Sequence, residues 1–147
     1  MPRTLIIAYG NPLRGDDSLG WHAAERLQAA IHDPDVEILS LHQLTPELMD
    51  PISRAARVFF IDAGEGPEPG ALLERRIDPA AAQAASFTHH ATPEALIAGA
   101  RLLYGQAAEG RIFSVAGADF SISPDLSPAV AARMDELIAA VLRSIAQ

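Results

Sequence analysis

What most narrows the fold of this chain is a repeated unit, an apolar run stopped by glycine or an acid and then followed by a helix-length segment. Thr4 to Tyr9 is continuously apolar and closes on Gly10-Asn11-Pro12, as a strand buried on both faces does. Leu19 to Ile31 has helical spacing, with Leu19, Ala23, Leu27, Ala30 and Ile31 able to share one face. Val36 to Leu41 alternates in part and reads as a second strand. Thr45-Pro46-Glu47 opens a helix, with threonine as N-cap and proline at the first helical position. Arg57 to Asp62 is β-branched and aromatic and ends in an acid, the clearest strand of all. Gly64 to Gly70 is turn-rich, and Ala71 to Ile77 reads as a short edge strand. Thr92-Pro93-Glu94 repeats the cap signature and starts a helix to about Tyr104. Arg111 to Val115 is a further strand, and Ser127-Pro128 begins a final helix through Ile145.

Strands alternating with helices of this length predict an α/β fold. The expectation is a single three-layer domain over 1–147, its twisted, mostly parallel sheet of about five strands flanked by helices on both faces. A length of 147 residues suits one core. With 49% hydrophobic and 20% charged residues the chain cannot be disordered. Its 11 basic and 19 acidic residues leave a net charge of -8, which argues against a nucleic-acid partner. No segment approaches the ~20 apolar residues of a membrane span. The run at Leu5 is too short for a signal peptide core of ~7–15 residues. A soluble cytoplasmic protein with no membrane partner is the expectation.

Two absences remove whole chemistries. Cysteine is missing, so there is no disulfide, thiolate metal site or cysteine nucleophile. Lysine is missing too, since all 11 basic residues are arginine. That excludes Schiff-base lysines, P-loop lysines and Ser-Lys catalysis.

In open α/β sheets, ligands sit beyond the carboxyl ends of the strands. After the first strand stands Gly10-Asn11-Pro12-Leu13-Arg14-Gly15-Asp16-Asp17-Ser18-Leu19-Gly20. This is neither a dinucleotide fingerprint nor a P-loop, and two adjacent carboxylates would repel a phosphate. They favour a cation, or else they cap the helix that follows. Asp62 ends the third strand, and His89 and His90 precede the helix at Thr92. Two carboxylates and an imidazole suit a first-row divalent ion with open positions, provided that the fold gathers them. Receiver domains also place acids after strands one and three, but they need a lysine after strand five, and none exists here.

The first loop resembles the GNxLxxD[DE]xxG signature of the [NiFe]-hydrogenase maturation endopeptidases. Phe60-Ile61-Asp62-Ala63, Thr88-His89-His90 and Leu126-Ser127-Pro128 line up with further family features in order, so the resemblance spans essentially the whole chain. Ala8 and Ser18 depart from the usual small residues at their positions, and neither change removes a ligand. The resemblance implies a cytoplasmic enzyme that trims the C-terminal extension of the hydrogenase large-subunit precursor after nickel insertion. By position it implies Asp17, Asp62 and His90 as the metal-contacting set. His90 is preferred to His89 by its distance to the helix and to Gly105. The nickel would be carried by the substrate, with no permanently bound organic cofactor. Asp16 is the expected catalytic partner or general base, and Gly10 and Asn11 belong to the substrate-binding loop. His42-Gln43-Leu44 is similar to the subgroup serving bidirectional, pyridine-nucleotide-linked hydrogenases, so those three residues are expected to bind substrate. A non-cleaving nickel-dependent binding module or chaperone would use the same ligands. A self-contained metallohydrolase for small substrates is a third possibility.

Overall fold

The computed structural model describes residues 3–78, 91–106 and 108–147. Five strands form one sheet: β1 (Thr4–Tyr9), β2 (Val36–Leu41), β3 (Arg57–Gly64), β4 (Leu72–Arg76) and β5 (Glu109–Ala116). Their order is β2-β1-β3-β5-β4. All neighbours run parallel except the edge strand β4, which pairs antiparallel with β5. Among the described residues, five α-helices accompany the sheet: α1 (Leu19–Ala30), α2 (Met49–Arg54), α3 (Pro93–Tyr104), α4 (Pro128–Ala131) and α5 (Met134–Ala146). The α/β architecture with a mostly parallel five-stranded sheet is the one expected from the sequence.

The period of two along each strand divides the core into two layers. Ile6, Ala8, Phe59, Ile61, Phe113 and Val115 face one way and pack under α1 and α5. Leu5, Ile7, Val58, Phe60 and Ile112 face the other and pack under α2 and α3. Phe59 and Phe113 meet edge to face with centroids 5.4 Å apart. Each large side chain so buried stabilises the fold by ~1.5–3 kcal/mol before the entropic cost of ordering it.

The local signals performed unevenly. Thr92 caps α3 as expected, its hydroxyl accepting from Ala95 N–H at 3.1 Å, with Pro93 in the first turn. Thr45 makes no cap bond. The Pro46–Leu48 segment is a 3-10 turn leading into a six-residue α2. The single final helix expected from Ser127 is instead two, α4 and α5, broken at Ala132 and Arg133. Ala30, assigned to the buried face of α1, is exposed.

From β1 the chain steps to β2 on one side, and β3 begins the march to the other side. The crevice at the carboxyl ends of β1 and β3 is therefore the topological switch point, where α/β sheets bind ligands. The opposite end holds a cavity of about 400 Å³ lined by Arg3, Arg57, Arg76 and Arg111 among others. There Arg57 donates to the carbonyls of Ser144 (2.7 Å) and Ile145 (2.9 Å). It tethers the last turn of α5 to the sheet.

Candidate functional site

The chain leaves β1 through a loop in which glycine is a geometric necessity. Gly10 has φ 141°, and a Cβ there would run into the carbonyl oxygen of Asp17. Only the bare backbone lets the start and end of the loop touch. Asn11 N–H then donates to Asp17 Oδ2 at 2.7 Å, and Asn11 Oδ1 accepts from Leu13 N–H at 2.9 Å. The Trp21 indole N–H donates to Gly10 O at 2.8 Å and fastens the loop to α1. Gly10, Asn11 and Asp17 thus form one closed unit at the switch point.

Asp62 arrives from β3. Ala8 stands opposite Ile61 in the β1–β3 register. Tyr9 and Asp62 follow on the α2/α3 side, and the Tyr9 hydroxyl donates to Asp62 Oδ2 at 2.9 Å. Burial pushes the Asp62 carboxyl up to about 6. The Tyr9 bond opposes that shift, the negative charges of Asp17 and Glu94 add to it, and Arg75 works against it. Tyr9 is raised above the ordinary phenol range by burial and by Asp62, so it stands as a donor. Arg75, on β4, pairs with Glu94 in the first turn of α3 at 2.7 Å. The result is a half-buried acidic crevice with one cation at its wall. A divalent ion arriving there would relieve both the desolvation of Asp62 and its repulsion from Asp17.

Asp16 is placed differently. It is fully buried in the 3-10 turn Gly15–Ser18 that precedes α1. Its Oδ2 accepts from Ala118 N–H (2.7 Å), Asp119 N–H (2.9 Å) and the Ser127 hydroxyl (2.8 Å), while Oδ1 accepts from Ser127 N–H (2.7 Å). Burial alone would raise its pKa, but these bonds outweigh it and hold the carboxyl below the usual aspartate range. Gly15, at φ 57°, lets the turn lie against the Asp119 carbonyl. A carboxylate has about four acceptor positions, and Asp16 accepts four bonds, three of them on Oδ2. These four bonds make Asp16, the general base expected from the sequence, a clip between the first loop and the segment leading into α4 as well. Neither acid caps α1 either, whose first turn contains no acidic residue.

The segment after β2 also divides. His42 and Gln43 are exposed, and the His42 ring meets Trp21 edge-on at 5.6 Å. Leu44, expected with them in the substrate-binding set, is placed differently. It is 8% exposed and belongs to the core under α2 and α3, with Leu48, Met49 and Ile52.

His89 and His90 lie outside the described residues. Among the described residues, no three His, Asp or Glu side chains gather closely enough to hold a metal ion by themselves. The site residues missed from sequence are Tyr9, Arg75 and Glu94. The one available signal was Tyr9, a phenol closing an otherwise aliphatic strand.

No protein-family model matches the chain, and no curated protein matches it in sequence. Solved structures do match it in shape. The hydrogenase maturating endopeptidase HybD from E. coli superposes with a TM-score of 0.80 at 22% identity, over 97% of this chain and 91% of that one. The [NiFe] hydrogenase maturation protease HycI from Thermococcus kodakarensis gives 0.78 at 22%, over 99% and 93%. A hydrogenase 2 maturation peptidase from a Thaumarchaeota archaeon gives 0.74 at 21%, over 98% of both chains. This is the hydrogenase maturation endopeptidase fold. It extends over nearly the whole chain, so the crevice between β1 and β3 sits in a frame shared end to end with these proteins. Among the described residues, no helix is long and apolar enough to cross a membrane.

Proposed function

We propose that the chain is a cytoplasmic endopeptidase that removes the C-terminal extension of a [NiFe]-hydrogenase large-subunit precursor once nickel is in place. The observation that carries this reading is that Asp17 and Asp62 belong to the carboxyl ends of the neighbouring parallel strands β1 and β3, at the switch crevice of this fold. Two neighbouring carboxylates in a half-buried crevice favour a cation. The cation is nickel, bound to cysteines of the substrate and presented with it. His90, at the family position, supplies the third contact. The absence of cysteine fits that role, since carboxylate and imidazole would not strip a thiolate-held metal.

Docking the nickel against Asp17, Asp62 and His90 fixes the adjoining peptide at the crevice, so positioning supplies much of the acceleration. A water activated at the nickel or by an aspartate attacks the scissile carbonyl. Gly10 and Asn11 shape the floor, and His42 and Gln43 select among large subunits, favouring those of bidirectional, pyridine-nucleotide-linked hydrogenases. The fold likeness to three named hydrogenase maturation peptidases supports the choice of substrate.

The test is to incubate the chain with nickel-loaded and nickel-free precursor and weigh the large subunit by mass spectrometry. Loss of the C-terminal extension only from the loaded precursor is expected. A tight complex with an uncut precursor identifies a non-cleaving chaperone. Tight stoichiometric metal in the isolated protein identifies a self-contained metallohydrolase. His90→Ala ends processing and His89→Ala leaves it; the reverse result moves the ligand by one residue.

A further inference from the structure

We infer that Tyr9 is the positioning residue of the site: its hydroxyl holds the Asp62 carboxylate so that one oxygen, Oδ1, faces the cation brought by the substrate. This rests on the reading of Asp62 as a nickel contact and adds a residue to it. The two side chains are 53 positions apart and meet only because β1 and β3 are neighbours in the sheet. The hydroxyl donates to Oδ2 at 2.9 Å. The ring of Tyr9 packs partly buried against the core under α2 and α3, a task that phenylalanine would perform equally well. The hydroxyl is therefore the part without a packing role. A half-buried hydroxyl costs free energy unless it is bonded, and the bond it makes is to Asp62.

The carboxylate needs such a partner. Asp17 and Glu94 repel it and Arg75 attracts it, so without a hydrogen-bond partner its carboxylate is free to rotate among them. With Oδ2 engaged by the phenol, the rotation is blocked and the ligand geometry is set before substrate arrives. Groups that orient a ligating carboxylate are commonly worth ~10–100-fold in metal affinity or activity.

Tyr9→Phe tests this, since it removes one oxygen and keeps the ring. With nickel-loaded precursor, KM should rise by about tenfold while kcat stays within about twofold, because recognition and not bond cleavage is disturbed. In protein labelled with 13C at aspartate Cγ, the Asp62 signal should move in Tyr9→Phe while the Asp16 signal stays. Thermal unfolding should stay cooperative, with a Tm lower by only a few degrees, which separates orientation from a loss of fold. An unchanged KM with an unmoved Asp62 signal overturns the inference and leaves the protease reading intact. A fall in kcat at constant KM also overturns it, by placing Tyr9 in the chemical step. If wild type itself processes no precursor, the protease reading fails, and the carbon signal still decides whether Tyr9 holds Asp62.

Discussion

Asp16 and Asp62 are both acids at the carboxyl end of the same sheet, and they are held in opposite ways. Asp16 is fully buried yet satisfied by three N–H groups and a hydroxyl. Asp62 is half-buried and held by one phenol, with the charges of Asp17 and Glu94 against it. The first carboxylate is more stable as an anion in the fold than in water, and the second is less so. The fully bonded charge ties the loop together, and the sparsely bonded one is the candidate for meeting a ligand. Burial alone would have ranked them the other way.

The largest effect expected from breaking this contrast is at Asp16. Asp16→Asn replaces an accepting oxygen by an amide that donates, so buried N–H groups from Ala118, Asp119 or Ser127 lose their partner. The cost should be about 3 kcal/mol or more, read by urea unfolding. The pH behaviour has a definite sign. A carboxyl lowered in the fold stabilises above its unfolded pKa, and that contribution is lost as pH falls through its folded value. If Asp16→Asn keeps wild-type stability but cannot process precursor, Asp16 belongs to the chemistry and the contrast collapses.

Asp62→Asn should do the reverse. Removing an under-solvated charge stabilises the fold by about 2 kcal/mol at pH 7, allowing for partial exposure, while processing is lost. Because the folded value lies near 6, above the unfolded one, the native state holds the extra proton between the two. Wild-type stability therefore rises as pH is lowered from 7 through about 6, and its deficit against Asp62→Asn closes by about pH 4. A deficit that persists at pH 4 would show that the charge is not its source.

Much of the fold was legible. Two strands, Thr4–Tyr9 and Val36–Leu41, begin and end where their apolar runs do. The cap at Thr92 is a local event written in three adjacent residues. Asp16, Asp17 and Asp62 drew attention because strand ends in α/β sheets converge, and the resemblance separated Asp17 from Asp16. The buried bonds of Asp16 could not be seen. Successive side chains of a 3-10 turn point about 120° apart, so adjacent acids face different neighbours. Those of Asp16 lie more than 100 positions away. The pairing of Tyr9 with Asp62, and of Arg75 with Glu94, likewise depends on strand order and on the reversal of β4. The burial of Leu44 was hidden for a related reason: His42 and Gln43 before it are exposed, and only the inward turn before α2 buries it.

That last division gives the smaller effects. Leu44→Ala should cost about 2 kcal/mol in stability, near the low end for a buried leucine because its site borders the surface. His42→Ala should change stability by no more than about 0.5 kcal/mol, since the ring is exposed and its main contact is the edge of Trp21. The Trp21 indole keeps its own bond to Gly10 O, so the first loop stays in place. Any change in which large subunit is processed then reports on the exposed imidazole itself. Competition between precursors of two hydrogenase types, scored by mass spectrometry, separates the cases. A shifted preference in His42→Ala at wild-type stability makes the segment a selector. The same shift in Leu44→Ala alone would instead mean that selection follows the packing of α2, and the distinction between the exposed and buried halves of this segment would fall.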